Sequence, residues 1–157
     1  MACSHSFAAD TVILLADEAA TESFAAEVAS ELEPGDVVAL SGDLGAGKTV
    51  FARAVIRALA TAAGIGVAEV PSPTFTLVQQ YELGGQTVYH FDLYRLGDAS
   101  EAWELGIEDA FADGICLIEW AERIEDLLPR RTVRIELVYG PKENAREARI
   151  AAPKGSP

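Results

Sequence analysis

The chain has 157 residues, half of them hydrophobic and none in a low-complexity tract, which is enough for one domain with a substantial core. Its formal net charge of −13 argues against a broad direct grip on nucleic acid, which needs clustered Lys and Arg. No stretch approaches the roughly eighteen apolar residues of a membrane span, and residues 1–10 lack the basic and apolar regions of a signal peptide. The two cysteines, Cys3 and Cys116, are far apart and outside any C-x-x-C, which predicts reduced thiols and a cytoplasmic protein.

In chain order, residues 11–15 read as a short edge strand. Asp17 fits the N-cap of a helix that lines up Ala20, Phe24, Val28 and Leu32. Pro34-Gly35-Asp36 stops this helix and turns the chain into the apolar strand Val37-Val38-Ala39-Leu40. A second helix carries Phe51, Ala54, Val55, Ala58, Leu59 and Ala62 on one face and ends at Gly64-Ile65-Gly66. Pro71 and Pro73 hold the next segment extended. Residues 76–81 and 87–94 predict two strands of a hairpin turning at Gly84-Gly85. A short acidic helix and a further helical turn fill 99–111, and Gly114 to Trp120 reads as a buried strand with a carboxylate near its end, Cys116 being a small core residue. A short helix over 121–128, a half-exposed strand over 132–139 and a last strand near 148–152 complete the pattern. The expected fold is a single α/β P-loop domain over 1–150, with a mixed sheet, an antiparallel hairpin and helices on both faces, followed by a frayed tail over 151–157.

Between the second strand and the second helix stands Gly42-Asp43-Leu44-Gly45-Ala46-Gly47-Lys48-Thr49-Val50, which contains G-x-x-x-x-G-K-[ST]. Glycines let the backbone bend around a polyphosphate and present several N–H donors, and the helix start adds its positive dipole end. Lys48, one of only three lysines, supplies a point charge for the β- and γ-phosphates, and the Thr49 hydroxyl a ligand for Mg²⁺. Asp43 within the loop is expected to be solvated or salt-bridged.

Hydrolysis or transfer also needs a metal-holding carboxylate and a group that positions the nucleophile. Glu119 follows four apolar strand residues, the place of a Walker B acid. Strand alternation puts His90, Asp92 and Tyr94 on one face. Asp92 there is either a metal- or water-positioning group or the partner of an arginine such as Arg95. His90 is either a satisfied structural histidine or a direct participant. Thr74, in the proline-stiffened loop, is either a γ-phosphate-sensing switch residue or an ordinary loop threonine. Trp120 either stacks on a nucleotide or partner or belongs to the core. A guanine-specific Asn/Thr-Lys-x-Asp element is absent from the sequence, where Asn144 is the sole asparagine, so a conventional GTPase is excluded.

Five motifs stand in order: Ser41 to Thr49, Ser72-Pro73-Thr74-Phe75-Thr76-Leu77-Val78, His90-Phe91-Asp92-Leu93-Tyr94-Arg95-Leu96, Glu104-Leu105-Gly106 and Leu117-Ile118-Glu119-Trp120. Together they resemble the TsaE family, the ATPase subunit of the bacterial machinery that makes threonylcarbamoyladenosine on tRNA. The resemblance implies a small Mg-dependent ATPase, weak when isolated, that resets or regulates a transferase subunit and its paralogous partner acting on adenosine 37. It implies that tRNA is met only indirectly. It gives Lys48 and Thr49 to phosphates and Mg²⁺, Asp92 and Glu119 to metal and hydrolysis, Thr74 to a switch-like segment and Trp120 to a place beside the nucleotide. Val50 and Ala121 depart from the family pattern, where threonine and proline are common, without touching the phosphate or metal groups.

Two other functions compete with hydrolysis that remodels a partner. One is a nucleotide-dependent module that assembles the modifying complex, with incidental hydrolysis. The other is a small-molecule kinase, which would need an arginine-rich lid; the nine arginines are scattered, with only Arg130-Arg131 adjacent.

Overall fold

The computed structural model describes residues 10–66, 70–151 and 153. Its elements are β1 (Thr11–Leu15), α1 (Glu18–Ser30), β2 (Val37–Ser41), α2 (Lys48–Ala62), β3 (Val78–Leu83), β4 (Gln86–Asp92), α3 (Ile107–Asp113), β5 (Ile115–Glu119), β6 (Val133–Tyr139) and β7 (Arg146–Ala151). Two 3-10 stretches, Ala99–Leu105 and Ala121–Leu127, flank α3 and β5. The tail expected from residue 151 lies outside the described residues, apart from Ala151, which closes β7, and Pro153. Cys3 also lies outside them.

One seven-stranded sheet runs in the order β1-β7-β6-β2-β5-β4-β3. Its four central strands, β6, β2, β5 and β4, are parallel, while β7 and β3 run antiparallel to their inner neighbours and β1 closes an edge on β7. The hairpin register pairs Leu83 with Gln86, so Gly84-Gly85 alone make the turn, both at positive φ.

The two faces of the sheet are sorted by residue parity, as a pleated strand requires. Val38 and Leu40 of β2 and Ile115 and Leu117 of β5 pack under α1 and α2 with Phe24, Val28, Phe51, Val55 and Ile56. Val37, Ala39, Cys116 and Ile118 face the other way, against Ile107, Ala110 and Ile124. Asp17 caps α1 by accepting the Ala20 N–H at 2.9 Å, and α1 lies against α2 with Phe24 and Phe51 ring centroids 5.4 Å apart. The buried stripe of α2 is rotated from the one the spacing predicts: Ala52, Ile56 and Ala60 join Phe51, Val55 and Leu59, while Ala54 and Ala58 are half-buried and Ala62 is exposed, because α1 and the sheet cover the helix from two sides.

Candidate active site

The parallel strands β2, β4 and β5 end at one edge, the usual ligand position in an α/β sheet. After β2 the chain turns at Gly42, which sits at φ 138; a Cβ there would land on the carbonyl oxygen of Leu137, so only glycine lets the loop pass β6 this closely. Gly47, at φ 108, precedes α2 and caps it with no side chain, which leaves the first-turn N–H groups open to a ligand. Carbonyls of the loop are tethered from the last hairpin. The Tyr139 hydroxyl donates to Leu44 O at 2.8 Å, and Arg146 donates from Nε to Ala46 O at 3.2 Å and from Nη2 to Gly45 O at 3.3 Å.

Lys48 is buried, and its Nζ donates to Gly42 O at 2.7 Å and to Asp43 O at 3.0 Å, 4.3 Å from the centroid of the Trp120 ring. Burial pushes its ammonium below the usual lysine range, against the opposing pull of Glu119, Glu122, Asp92 and Asp43. Glu119 closes β5 with its carboxylate buried. Oε1 accepts the Thr49 hydroxyl at 2.6 Å, and Oε2 lies 2.7 Å from Nε2 of His90.

Asp92 closes β4 and is the ladder partner of Glu119, so both acids point to the α2 side of the sheet. Its Oδ2 accepts the Thr74 hydroxyl at 3.3 Å and its Oδ1 the Tyr94 N–H at 3.1 Å. Of the two roles open to Asp92, pairing with Arg95 is not made: that guanidinium lies over the Phe75 ring, 4.8 Å from its centroid. Thr74 Oγ1 is also 2.8 Å from Ser72 Oγ, so this threonine joins the loop to the β4 acid.

Trp120 holds a left-handed backbone, φ 59, a conformation that costs about 1–2 kcal/mol in a residue with a side chain. Its contacts with Lys48 and with Tyr94, 4.9 Å between centroids, hold it half-buried at the rim of the cleft, where it also packs against the core on the α3 side of the sheet.

These groups line one cleft of about 360 Å³ that gathers Leu44, Gly45, Gly47, Lys48, Thr49, Val50, Thr74, Asp92, Glu119 and Trp120. Ala46 is turned inward and lines instead, with Asp17, Thr21 and Asn144, a cavity of about 620 Å³ that also borders Gly45, Gly47 and Val50. Gly42 and Asp43 serve the site through their carbonyls, the Asp43 side chain being exposed. Sequence reasoning missed Tyr139 and Arg146. Each bonds a loop carbonyl some hundred positions away, and no local pattern marks it.

Among the described residues no three His, Cys, Asp or Glu side chains form a ready-made metal cage. The oxygen set of Thr49, Glu119 and Asp92 fits a hard cation such as Mg²⁺, which keeps several waters and takes phosphate oxygens as further ligands.

A mixed sheet with parallel central strands, and a glycine loop that ends on the helix behind β2, define a single-domain P-loop NTPase fold. A crystal structure of YdiB from Bacillus subtilis superposes with a TM-score of 0.74 at 32% identity, over 92% of this chain and 86% of that one. Within this class the chain belongs to the TsaE family: the family model described as threonylcarbamoyl adenosine biosynthesis protein TsaE matches residues 15–148. The tRNA threonylcarbamoyladenosine biosynthesis protein TsaE of Rickettsia felis is 41% identical over 126 residues, 80% of this chain and 71% of that protein. The protein of the same name from Bacillus subtilis is 43% identical over 117 residues, 73% of this chain and 69% of its own length.

Proposed function

We propose that this chain binds ATP with Mg²⁺ and hydrolyses it slowly, and that this supports threonylcarbamoylation of adenosine 37 in tRNA by a transferase subunit and its paralogous partner. One observation carries the reading: a single cleft joins the open start of α2, Lys48 and Thr49 to two buried carboxylates on adjacent parallel strands. The loop amides and Lys48 would hold the phosphates once Lys48 leaves the carbonyls of Gly42 and Asp43. The larger cavity beside Gly45, Gly47 and Val50 offers room for ribose and base. Thr49, Glu119 and Asp92 would hold the Mg²⁺, which when bound neutralises charge on the phosphates. Asp92, tied to Thr74, lies where an attacking water could be oriented.

The second reading, a nucleotide-dependent assembly module with incidental hydrolysis, is favoured by exposed apolar side chains: Leu44, which lines the cleft, is 64% exposed, and Phe75, next to Thr74, is 81% exposed. Glu119→Ala and Asp92→Ala separate the two. Both variants are expected to bind ATP, lose turnover and stop the tRNA modification in cells; modification that persists without turnover favours assembly. Lys48→Ala is expected to weaken ATP binding at least about tenfold, and isolated wild-type turnover to stay well below about 10 s⁻¹. Unchanged affinity in the Lys48 variant would refute the site.

A further inference from the structure

His90 is fully buried on β4, two residues before Asp92, and among the described residues its ring makes one hydrogen bond, to Glu119. Its ladder partner on β5 is Leu117, so the ring leans along the strands, one dipeptide forward, to reach the Glu119 carboxylate. Its Nδ1 is buried and has no hydrogen-bond partner among the described residues. A proton on Nδ1 would leave an unsatisfied N–H, a cost of about 1–3 kcal/mol. The tautomer that meets both nitrogens' surroundings carries its N–H on Nε2 and donates it to Oε2.

Glu119 thus has one oxygen held by Thr49 of α2 and the other held by His90 of β4. With both in place the carboxylate plane is fixed. Without His90, Oε2 has no partner and the side chain is free to rotate about its last bond. We infer that His90 is a positioning residue: it orients the Glu119 carboxylate toward Thr49 and the phosphate end of the cleft, through a single Nε2–H donor. This rests on the reading of Glu119 as the carboxylate used in hydrolysis. His90 itself borders neither the cleft nor the larger cavity, so its effect on chemistry passes through Glu119.

The geometry of the donor supplies the test. The amide nitrogen of glutamine can stand at the position of Nε2, whereas that of asparagine stands near Nδ1 and falls short of Oε2. His90→Gln is expected to keep kcat for Mg-dependent ATP hydrolysis at least about tenfold above His90→Asn and His90→Leu, with ATP affinity alike in all three, a size typical of groups that orient a metal-site ligand. If the three variants share one kcat, or if His90→Leu matches wild type, the inference is overturned.

A second measurement needs no variant. Long-range ¹H–¹⁵N spectra of the wild-type ring are expected to show a hydrogen on Nε2, and a bare Nε2 overturns the inference. A wild-type chain that neither binds nor hydrolyses ATP sinks the proposed function as well. Wild-type hydrolysis with indistinguishable His90 variants sinks the positioning role alone.

Discussion

At Gly42 one missing methyl group decides whether the loop can form. The φ of 138 and the Leu137 carbonyl both exclude a side chain, so Gly42→Ala is expected to lower unfolding free energy by about 2 kcal/mol or more. Urea denaturation measures this, and a loss under about 0.5 kcal/mol would contradict the packing described. Cys116 gives a pH signature. Burial pushes its thiol from 9.0 up to about 12, so the folded chain keeps a proton that the unfolded chain releases above pH 9. Stability from this group is whole below pH 9 and falls as pH rises toward 12. Wild type is expected to lose about 1.4 kcal/mol more than Cys116→Ala between pH 8 and pH 10. The half-buried tyrosines Tyr81 and Tyr89 are also shifted upward by burial, and Tyr89 further by Cys116, a contribution that Cys116→Ala removes together with the thiol. Parallel pH profiles would show that the thiol is not the group responsible.

Helix α2 carries the site on its first turn and the core on its length, so packing and chemistry meet in one element. Phe51 is fully buried against Phe24, and Phe51→Ala is expected to cost about 3–5 kcal/mol by denaturant unfolding. A cost below about 1.5 kcal/mol would mean that the helix does not anchor the core. This element was legible in the sequence because its signals are local: a glycine motif, a 3.6-residue stripe and Gly64 at the end. So were the Gly-Gly hairpin and the buried run of β5 that ends at Glu119. The stretch after Glu119 was less legible. The expected helix there is a 3-10 stretch, because the left-handed Trp120 sets its start and Ile124 breaks its φ/ψ. Trp120 is in contact with Tyr94 and Lys48, and Ile124 is packed in the core with Phe91 and Ile107, neighbours that no window of adjacent residues contains.

For the molecule as a whole, charge and topology set the limits. A net charge of −13 opposes the broad electrostatic attraction that holds nucleic acid. Alone at physiological salt, it is expected to bind tRNA no more tightly than the weak non-specific range, a Kd above about 1 µM, in a gel-shift titration. Tighter binding would contradict an indirect role at the tRNA. The five ordered motifs carried the family resemblance, and the apolar runs of β2 and β5 marked strands buried on both faces. The strand order was not legible, because hydrophobic runs give which residues are buried and not which neighbour covers them.

Strand β2 lies between β5 and β6, and its residues pair with partners about 79 and 95 positions further along. A ribosome releases the chain from its first residue, so β2 emerges long before either neighbour exists. The glycine loop and α2 therefore wait with an unfilled strand edge until most of the protein has been synthesised. Non-local parallel pairing of this kind is slow, and an exposed apolar strand is the usual target of holding chaperones. Birth of the fold is gated by the arrival of β5 and then of β6.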